Sequence, residues 1–171
     1  MKLRSATLSI AASFIFCVTA QASDPVQITV TGNIVASPCT VSTANGSQTV
    51  NLGDDLQSAD LQKAGSATPW KNFVIQLDNC PDGTTTVDAT FHGTPDESLP
   101  EYYKNLGNAK NLAIQLDTSG GAFMLNDGFV LSYKVVHGSV TYNIAARAYS
   151  EKGGVTPGSI SSVITIDFAY R

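Results

Sequence analysis

The residues from Gly158 to Arg171 alternate in a pattern that limits what the chain can fold into. Successive side chains of a β-strand point to opposite faces of a sheet, so side chains two positions apart share a face. One face of this segment is apolar apart from a serine and carries Ile160, Ser162, Ile164, Ile166, Phe168 and Tyr170. The pattern predicts a long β-strand with one apolar side. Such a strand needs a neighbouring strand, and no later segment of the sequence supplies one.

A second amphipathic strand is predicted close to the start of the mature protein, over residues 24–35. Its apolar face carries Val26, Ile28, Val30, Gly32 and Ile34. Pro25 is tolerated in a strand only where no ladder hydrogen bond is needed. Gly32 removes a side chain in mid-strand, which indicates either close approach by another backbone or a shallow site.

The first 22 residues have the organisation of a secretory signal. A basic start, MKLR, precedes an apolar run from Leu8 to Val18, and Ala20-Gln21-Ala22 fits the small-residue cleavage pattern. We therefore predict that the mature chain begins at Ser23. The apolar run is shorter than the ~20 residues that a membrane-spanning helix needs, so the mature protein is expected not to span a membrane.

Charge and cysteine content agree with export. Loss of the signal removes Lys2 and Arg4 and no acidic residue, which changes the formal net charge from −4 to −6. No basic cluster remains, and this argues against a nucleic-acid partner. Cys17 leaves with the signal, and the remaining pair, Cys39 and Cys80, is predicted to form a disulfide because the chain is exported.

Between the two terminal segments the sequence predicts many short strands separated by turn signals such as Pro81-Asp82-Gly83. The predicted strands are 35–41, Thr49–Leu52, Trp70–Cys80, Thr85–His92, Leu112–Leu116, Ala122–Leu125, Phe129–Tyr133 and Val140–Tyr149. Gly93 to Lys110 is rich in polar and turn-forming residues and is predicted to be a long surface excursion. Short strands at regular spacing are typical of an all-β sandwich.

Catalytic and metal-binding patterns are weak in this sequence. The two histidines, His92 and His137, each lie beside a glycine and lack a neighbouring catalytic motif, so no catalytic residue and no cofactor are predicted. The acidic pairs Asp54-Asp55 and Asp96-Glu97 lack the alternating spacing of a calcium loop, so no metal site is predicted.

Trp70 and the pair Tyr102-Tyr103 allow two interpretations. Exposed aromatic rings could form a platform for a sugar, whereas packing in the core or under a loop is the more common role of such residues. The sequence leaves this open.

Several segments together resemble pilin subunits of the chaperone–usher pathway, and most closely the minor tip-fibrillum subunits of type 1 fimbriae. The matching segments are ITVTGNIVASPCTVST at Ile28–Thr43, NCPDGT at Asn79–Thr84 and YYKNLGNAKN at Tyr102–Asn111. Pilins of this family also carry a glycine fourteen residues from the end and a penultimate tyrosine, which are Gly158 and Tyr170 here.

The resemblance implies an incomplete immunoglobulin-like β-sandwich that lacks its last strand and is completed by a donor strand from another chain. It implies a signal peptide over residues 1–22, a donor-strand extension over 23–34 and a pilin domain over 35–171. The donor residues would be Val26, Ile28, Val30, Gly32 and Ile34. The acceptor groove and chaperone contact would be Gly158, Ile160, Ile164, Ile166, Phe168 and Tyr170.

The implied partners are a periplasmic chaperone, an outer-membrane usher and neighbouring subunits of a cell-surface fimbria. The implied function is structural rather than enzymatic, as a minor tip or adaptor subunit. A major shaft pilin is the alternative, and a glycan-binding activity in the Gly93–Lys110 excursion is a further one. A receptor-binding adhesin is less favoured because adhesins of such fimbriae carry an additional lectin domain, and a periplasmic hydrolase is less favoured because no catalytic cluster is present.

Overall fold

The computed structural model describes residues 29–32, 38–42 and 46–171. The chain divides into two units, Met1–Asn33 and Ile34–Arg171. In the first unit, residues 29–32 form no regular secondary structure and are exposed. All strands given below belong to the second unit.

Nine strands and one short 3-10 helix make up the described secondary structure. The strands are β1 (Thr40–Val41), β2 (Ser66–Ala67), β3 (Lys71–Asp78), β4 (Thr86–Gly93), β5 (Tyr103–Lys104), β6 (Ala113–Thr118), β7 (Val130–Lys134), β8 (Val140–Ser150) and β9 (Ile164–Tyr170), and the 3-10 helix is Ser58–Leu61. The longer strands are rich in β-branched and aromatic residues at alternate positions, which suits a surface buried on one side.

The strands form two sheets. The larger sheet has the order β1-β3-β8-β6-β5, with β2 also paired to β8, and the smaller sheet has the order β7-β4-β9. All these pairs are antiparallel. The all-β architecture predicted from the strand spacing is confirmed.

The core lies between the two sheets and is built from their inward-facing side chains. Leu77 and Ile144 of the larger sheet and Val87 and Phe91 of the smaller sheet are fully buried. Tyr142 joins the sheets, because its hydroxyl donates a hydrogen bond of 2.8 Å to the carbonyl oxygen of Val87. Satisfying this hydroxyl lets a large aromatic ring occupy the centre of the core.

The predicted disulfide between Cys39 and Cys80 is confirmed. Both residues are buried, and the bond connects the residue before β1 to the loop after β3. It therefore holds the short edge strand β1 against β3 by a covalent link as well as by the ladder pairs Thr40–Asp78 and Val41–Leu77.

Two segments predicted to be strands form no strand in the structure. Thr49–Leu52 lies in a segment without regular structure, because the Asn51 side chain accepts a hydrogen bond from the Gly53 amide and turns the chain. Ala122–Leu125 contributes only an isolated bridge between Met124 and Asp117.

The prediction that Gly93–Lys110 is a surface excursion is wrong at its centre. This segment contains β5, which pairs with β6, and the side chain of Tyr103 is buried. Tyr103 fills space that Gly93 leaves open, since a Cβ atom there would lie 2.5 Å from the tyrosine ring. Burial raises the pKa of the Tyr103 hydroxyl.

Removing the disulfide should destabilise the domain strongly. The two cysteines are 41 residues apart, and closure of a loop of this size stabilises a fold by about 4 kcal/mol in the chain-entropy description. We expect Cys80→Ser to lower the free energy of unfolding by about this amount, measured by urea denaturation beside the parent protein. The double variant Cys39→Ser/Cys80→Ser should lose little more than the single variant. Two free thiols in the mature protein, measured by mass spectrometry without reductant, would contradict the assignment.

Candidate functional site

The C-terminal strand β9 lies at the edge of the smaller sheet. It pairs with β4 over the register from Val87–Tyr170 to Gly93–Ile164. The predicted alternation is confirmed, because Ile164, Ile166, Phe168 and Tyr170 are half-buried whereas the residues between them are exposed. The half-buried side chains pack against the core from its margin.

The hydrogen bonds of the strand end show which backbone groups face β4. The Arg171 amide donates to the Thr86 carbonyl oxygen at 2.9 Å, and the Thr86 amide donates to the Arg171 carbonyl oxygen at 3.0 Å. In an antiparallel ladder such pairs recur at every second residue. The backbone amide and carbonyl groups of Phe168 and Ile166 therefore point away from β4, towards an edge that no strand of the described chain pairs with.

A cleft of about 1110 Å³ opens along this free edge of β9. One wall is the apolar side of β9, and the other is the inner face of the larger sheet. Residues 46–54 and 56–58 also line the cleft. The apolar lining residues are Val50, Leu52, Leu56, Leu61, Phe73, Ile75, Ala109, Leu112, Ile114, Leu116, Ala146, Val155, Pro157, Ile160, Val163, Ile164, Ile166 and Phe168. We call this cleft the groove.

The groove thus combines two unmet requirements of a β-sandwich. Backbone groups at the free edge of β9 need hydrogen-bond partners, and the apolar side chains below them need cover from water. An extended segment with apolar side chains at alternate positions meets both needs at once.

The strand itself is shorter than the sequence predicts. Ladder pairing starts at Ile164 because its partner Gly93 is the last residue of β4. Before that point the chain is held by a loop instead, since the Leu106 amide donates to the Ser161 carbonyl oxygen at 2.7 Å. The Asn105 side chain also accepts a hydrogen bond from the Ser161 amide at 2.9 Å. Ile160 lies in this loop-held segment, is half-buried and lines the groove.

Gly158 lies at the end of the groove and is packed against the same loop. A Cβ atom at this position would lie 2.5 Å from the Ala109 amide nitrogen and 2.6 Å from the Asn108 side-chain oxygen. The close approach of this loop therefore accounts for a glycine at position 158.

A buried carboxylate fixes β9 from the outer side of the smaller sheet. Asp88 on β4 accepts a hydrogen bond of 2.5 Å from the Ser132 hydroxyl of β7 and one of 2.7 Å from Arg171 Nε. The carboxylate therefore joins all three strands of this sheet. The Ser132 hydroxyl is the main cause that lowers the pKa of Asp88, and the Arg171 guanidinium adds to the shift.

The remaining predicted residues fall in different places. The donor positions Val26, Ile28 and Ile34 lie outside the described residues, whereas Val30 and Gly32 are described and exposed. His92 is exposed, with its ring nitrogens 3.8 Å from Asp127 and 3.6 Å from Asp167. No set of three or more His, Cys, Asp or Glu side chains in the described ranges could hold a metal ion. No helix within those ranges is long and apolar enough to cross a membrane.

Residues that hold the groove in place were not identified from the sequence. Asn105 and Asn108 lie in a polar segment, and their contacts to residues 159–161 depend on a loop folding back over a distance of about fifty residues. Asp88 did carry a signal, since it is a lone acidic residue in the apolar alternation of β4.

Enlarging Gly158 should disturb this end of the groove. We expect Gly158→Ala to lower the stability of the domain by about 1–3 kcal/mol, because the new methyl group overlaps the Ala109 backbone. Thermal unfolding provides the measurement. Val163→Leu is the matched control, since it adds bulk to an exposed side chain of the same segment. Equal melting temperatures for Gly158→Ala and the parent would show that the contact is not restrictive.

Asp88→Asn should destabilise the domain at neutral pH and have no such effect in acid. Because the pKa of Asp88 is lowered on folding, its carboxylate stabilises the protein at pH values above the ordinary range for aspartate, and this contribution disappears as the pH falls through the folded-state pKa. We expect Asp88→Asn to lower the free energy of unfolding by about 1 kcal/mol at pH 7, because the hydrogen bonds to Ser132 and Arg171 are weakened. Urea denaturation at several pH values tests this, and a pH-independent difference between variant and parent would contradict it.

Comparison with known proteins places this arrangement in a family. No protein-family model matches the chain. FimG of Escherichia coli (strain K12) is 44% identical over 89% of this chain and 88% of its own. The S-fimbrial adhesin protein SfaS of Escherichia coli O6:K15:H31 is 42% identical over 99% of both chains.

Solved structures show the same fold. The P pilus rod subunit PapA superposes with a TM-score of 0.65 at 23% identity, covering 79% of this chain and all of its own. An antigen and type I fimbria protein of Burkholderia pseudomallei gives a TM-score of 0.55 at 28% identity, over 80% of this chain and 90% of its own. The fold and the extent of sequence identity agree, and the chain belongs to the family of chaperone–usher fimbrial subunits.

Proposed function

We propose that this protein is a structural subunit of an adhesive fimbria and that it joins its neighbours by donor-strand exchange. The groove beside β9 accepts a strand from another chain, and the N-terminal extension of residues 23–34 enters the groove of a neighbouring subunit. The observation that carries the proposal is the edge of β9 that no strand of the described ranges pairs with, together with its row of half-buried apolar side chains.

The two halves of the proposed joint match in periodicity. The extension presents apolar side chains at every second position, as does the face of β9. Burial of Val26, Ile28, Val30 and Ile34 in a neighbouring groove would stabilise the joint by roughly 6–12 kcal/mol at 1.5–3 kcal/mol for each side chain. Each ladder hydrogen bond would add about 0.5–1.5 kcal/mol. A joint of this strength is long-lived without a covalent bond.

The free edge of β9 also indicates which partners the subunit needs before assembly. An apolar free edge promotes aggregation, so the subunit needs a temporary strand after it is exported. We propose that a periplasmic chaperone supplies that strand, that an outer-membrane usher receives the complex and that the assembled subunit is located in a cell-surface fimbria. The signal sequence predicted over residues 1–22 supports this route. No feature of the groove calls for catalysis, and the proposed role is structural.

We further propose a minor subunit at the fimbrial tip. Support comes from the resemblance to tip-fibrillum subunits and from the difference between 44% identity to FimG and 28% identity to the type-1 fimbrial A chain of Escherichia coli. A major shaft pilin is the alternative. Quantitative mass spectrometry of purified fimbriae distinguishes them, because a shaft pilin dominates by mass and a tip subunit is present in few copies.

The donor and acceptor roles can be separated by two variants. Deletion of residues 24–34 should leave a subunit that binds the chaperone and accepts a strand but does not join the subunit whose groove it fills. Ile166→Glu should accept a strand neither from the chaperone nor from a neighbour and should be missing from fimbriae, because a buried charge at the centre of the β9 face opposes strand insertion. Co-purification of tagged neighbouring subunits from assembled fimbriae shows whether each variant joins a neighbour through its extension and through its groove.

Val130→Glu is the control for the acceptor variant. Val130 is an exposed residue of β7, at the other edge of the smaller sheet, and does not line the groove, so a charge there should leave assembly unchanged. Full assembly on both sides by the deletion variant and by Ile166→Glu would refute strand exchange through this groove.

A receptor-binding role is the second candidate function. The expectation that an adhesin needs a longer chain does not decide the matter, because SfaS carries the name of an adhesin and matches this chain over 99% of both lengths. A subunit of this size could therefore assemble through the groove and also bind a receptor through another surface.

A further inference from the structure

The outer face of the larger sheet, opposite the core, carries an aromatic side chain with small neighbours. Tyr149 on β8 is paired with Ala113 of β6 on one side and with Ala67 of β2 on the other. Directly paired residues lie on the same face of a sheet. Because both neighbours are alanines, the surface beside the half-buried tyrosine ring is recessed.

Aromatic and cationic groups continue from Tyr149 in a row. Tyr102 lies edge-on to Tyr149, with ring centroids 5.1 Å apart. The Arg147 guanidinium carbon lies 6.0 Å from the centroid of the Tyr149 ring and 4.3 Å from that of Trp70. Gln115 accepts a hydrogen bond of 2.8 Å from Arg147 Nε, which fixes the guanidinium in place. The row is therefore rigid and ends at Trp70, which is exposed.

A pocket of about 190 Å³ lies beside this row. Its lining residues are Asp96, Ser98, Leu99, Asn111, Leu112, Ala113, Tyr149, Glu151 and Lys152. The Asp96 carboxylate is oriented by hydrogen bonds from the amides of Ser98 and Leu99, at 2.9 and 3.2 Å. The pocket thus combines the aromatic ring of Tyr149, the apolar side chains of Leu99, Leu112 and Ala113, and polar groups that accept or donate hydrogen bonds.

From these features we propose that the pocket binds a neutral saccharide, with one pyranose ring seated against Tyr149. This proposal rests on the second candidate function, receptor binding, and not on strand exchange. The C–H groups on one face of a pyranose ring carry partial positive charge and fit the electron-rich face of an aromatic ring. The hydroxyl groups at the ring margin then meet the oriented carboxylate of Asp96 and the side chains of Glu151 and Lys152.

Size and charge define the class of sugar. A pocket of 190 Å³ is smaller than the roughly 300–1,000 Å³ that holds a drug-sized ligand, so it admits a single ring. Its rim carries the carboxylates of Asp96 and Glu151 against the one ammonium group of Lys152. This balance opposes an anionic sugar. The row from Tyr149 to Trp70 offers a platform for the next residue of an oligosaccharide.

The test uses the mature subunit with its groove filled by a synthetic donor-strand peptide, so that the domain is complete. An array of neutral and acidic oligosaccharides identifies a bound glycan, and titration calorimetry measures its dissociation constant. We expect a neutral glycan to bind. Tyr149→Ala should weaken binding at least tenfold, and Tyr149→Phe should bind within about threefold of the parent, because it keeps the ring.

Phe123→Ala is the matched control, since it removes an exposed aromatic ring that does not line the pocket. It should leave binding unchanged, and Tyr149→Ala should still assemble into fimbriae. Absence of binding to every glycan on the array, neutral and acidic, would overturn both this site and the receptor-binding function. Binding that Tyr149→Ala leaves intact, or binding restricted to acidic glycans, would overturn the site alone. None of these outcomes bears on strand exchange.

Discussion

Among the described residues β9 pairs with one strand, β4, and this pairing is the interaction on which the rest of the structure depends. Antiparallel pairing with β4 continues the inward row of Val87, Ala89 and Phe91 into Tyr170, Phe168 and Ile166. The row on β4 is fully buried, whereas the row on β9 is only half-buried. Burial therefore decreases across the smaller sheet towards its free edge, and the groove is the place where the core meets water.

A free strand edge needs to be held firmly if a partner strand is to recognise it. The outer face of the smaller sheet does this through polar contacts, as Asp88 joins Ser132 and Arg171 across its three strands. The segment before β9 is fixed by Asn105 and Asn108. None of these contacts uses the apolar face of β9. The strand is thus positioned by contacts that leave its apolar face and free edge available for the proposed donor strand.

Local sequence patterns correctly predicted which side chains share a face of a strand. The ends of strands depend on contacts between residues distant in sequence, and these were not predicted. Alternation along β9 depends only on the strand period, so its half-buried residues were predicted correctly. The start of β9 at Ile164 depends on where β4 ends, which is a property of another segment. The different positions of the adjacent residues Tyr102 and Tyr103 also depend on contacts with other segments. Tyr103 is directed into the core by its pairing with Ile114, and Tyr102 is left on the outer side beside Tyr149.

Strand β8 links the two surfaces proposed to act in assembly and in binding. Its inward residues Ile144, Ala146 and Ala148 belong to the core, and Ala146 also lines the groove. Its outward residues Arg147 and Tyr149 belong to the aromatic row. Because alternate residues of one strand face opposite sides, a substitution on either face leaves the other side chains in register. Assembly through the groove and recognition on the outer face can therefore change independently, although both depend on the same backbone.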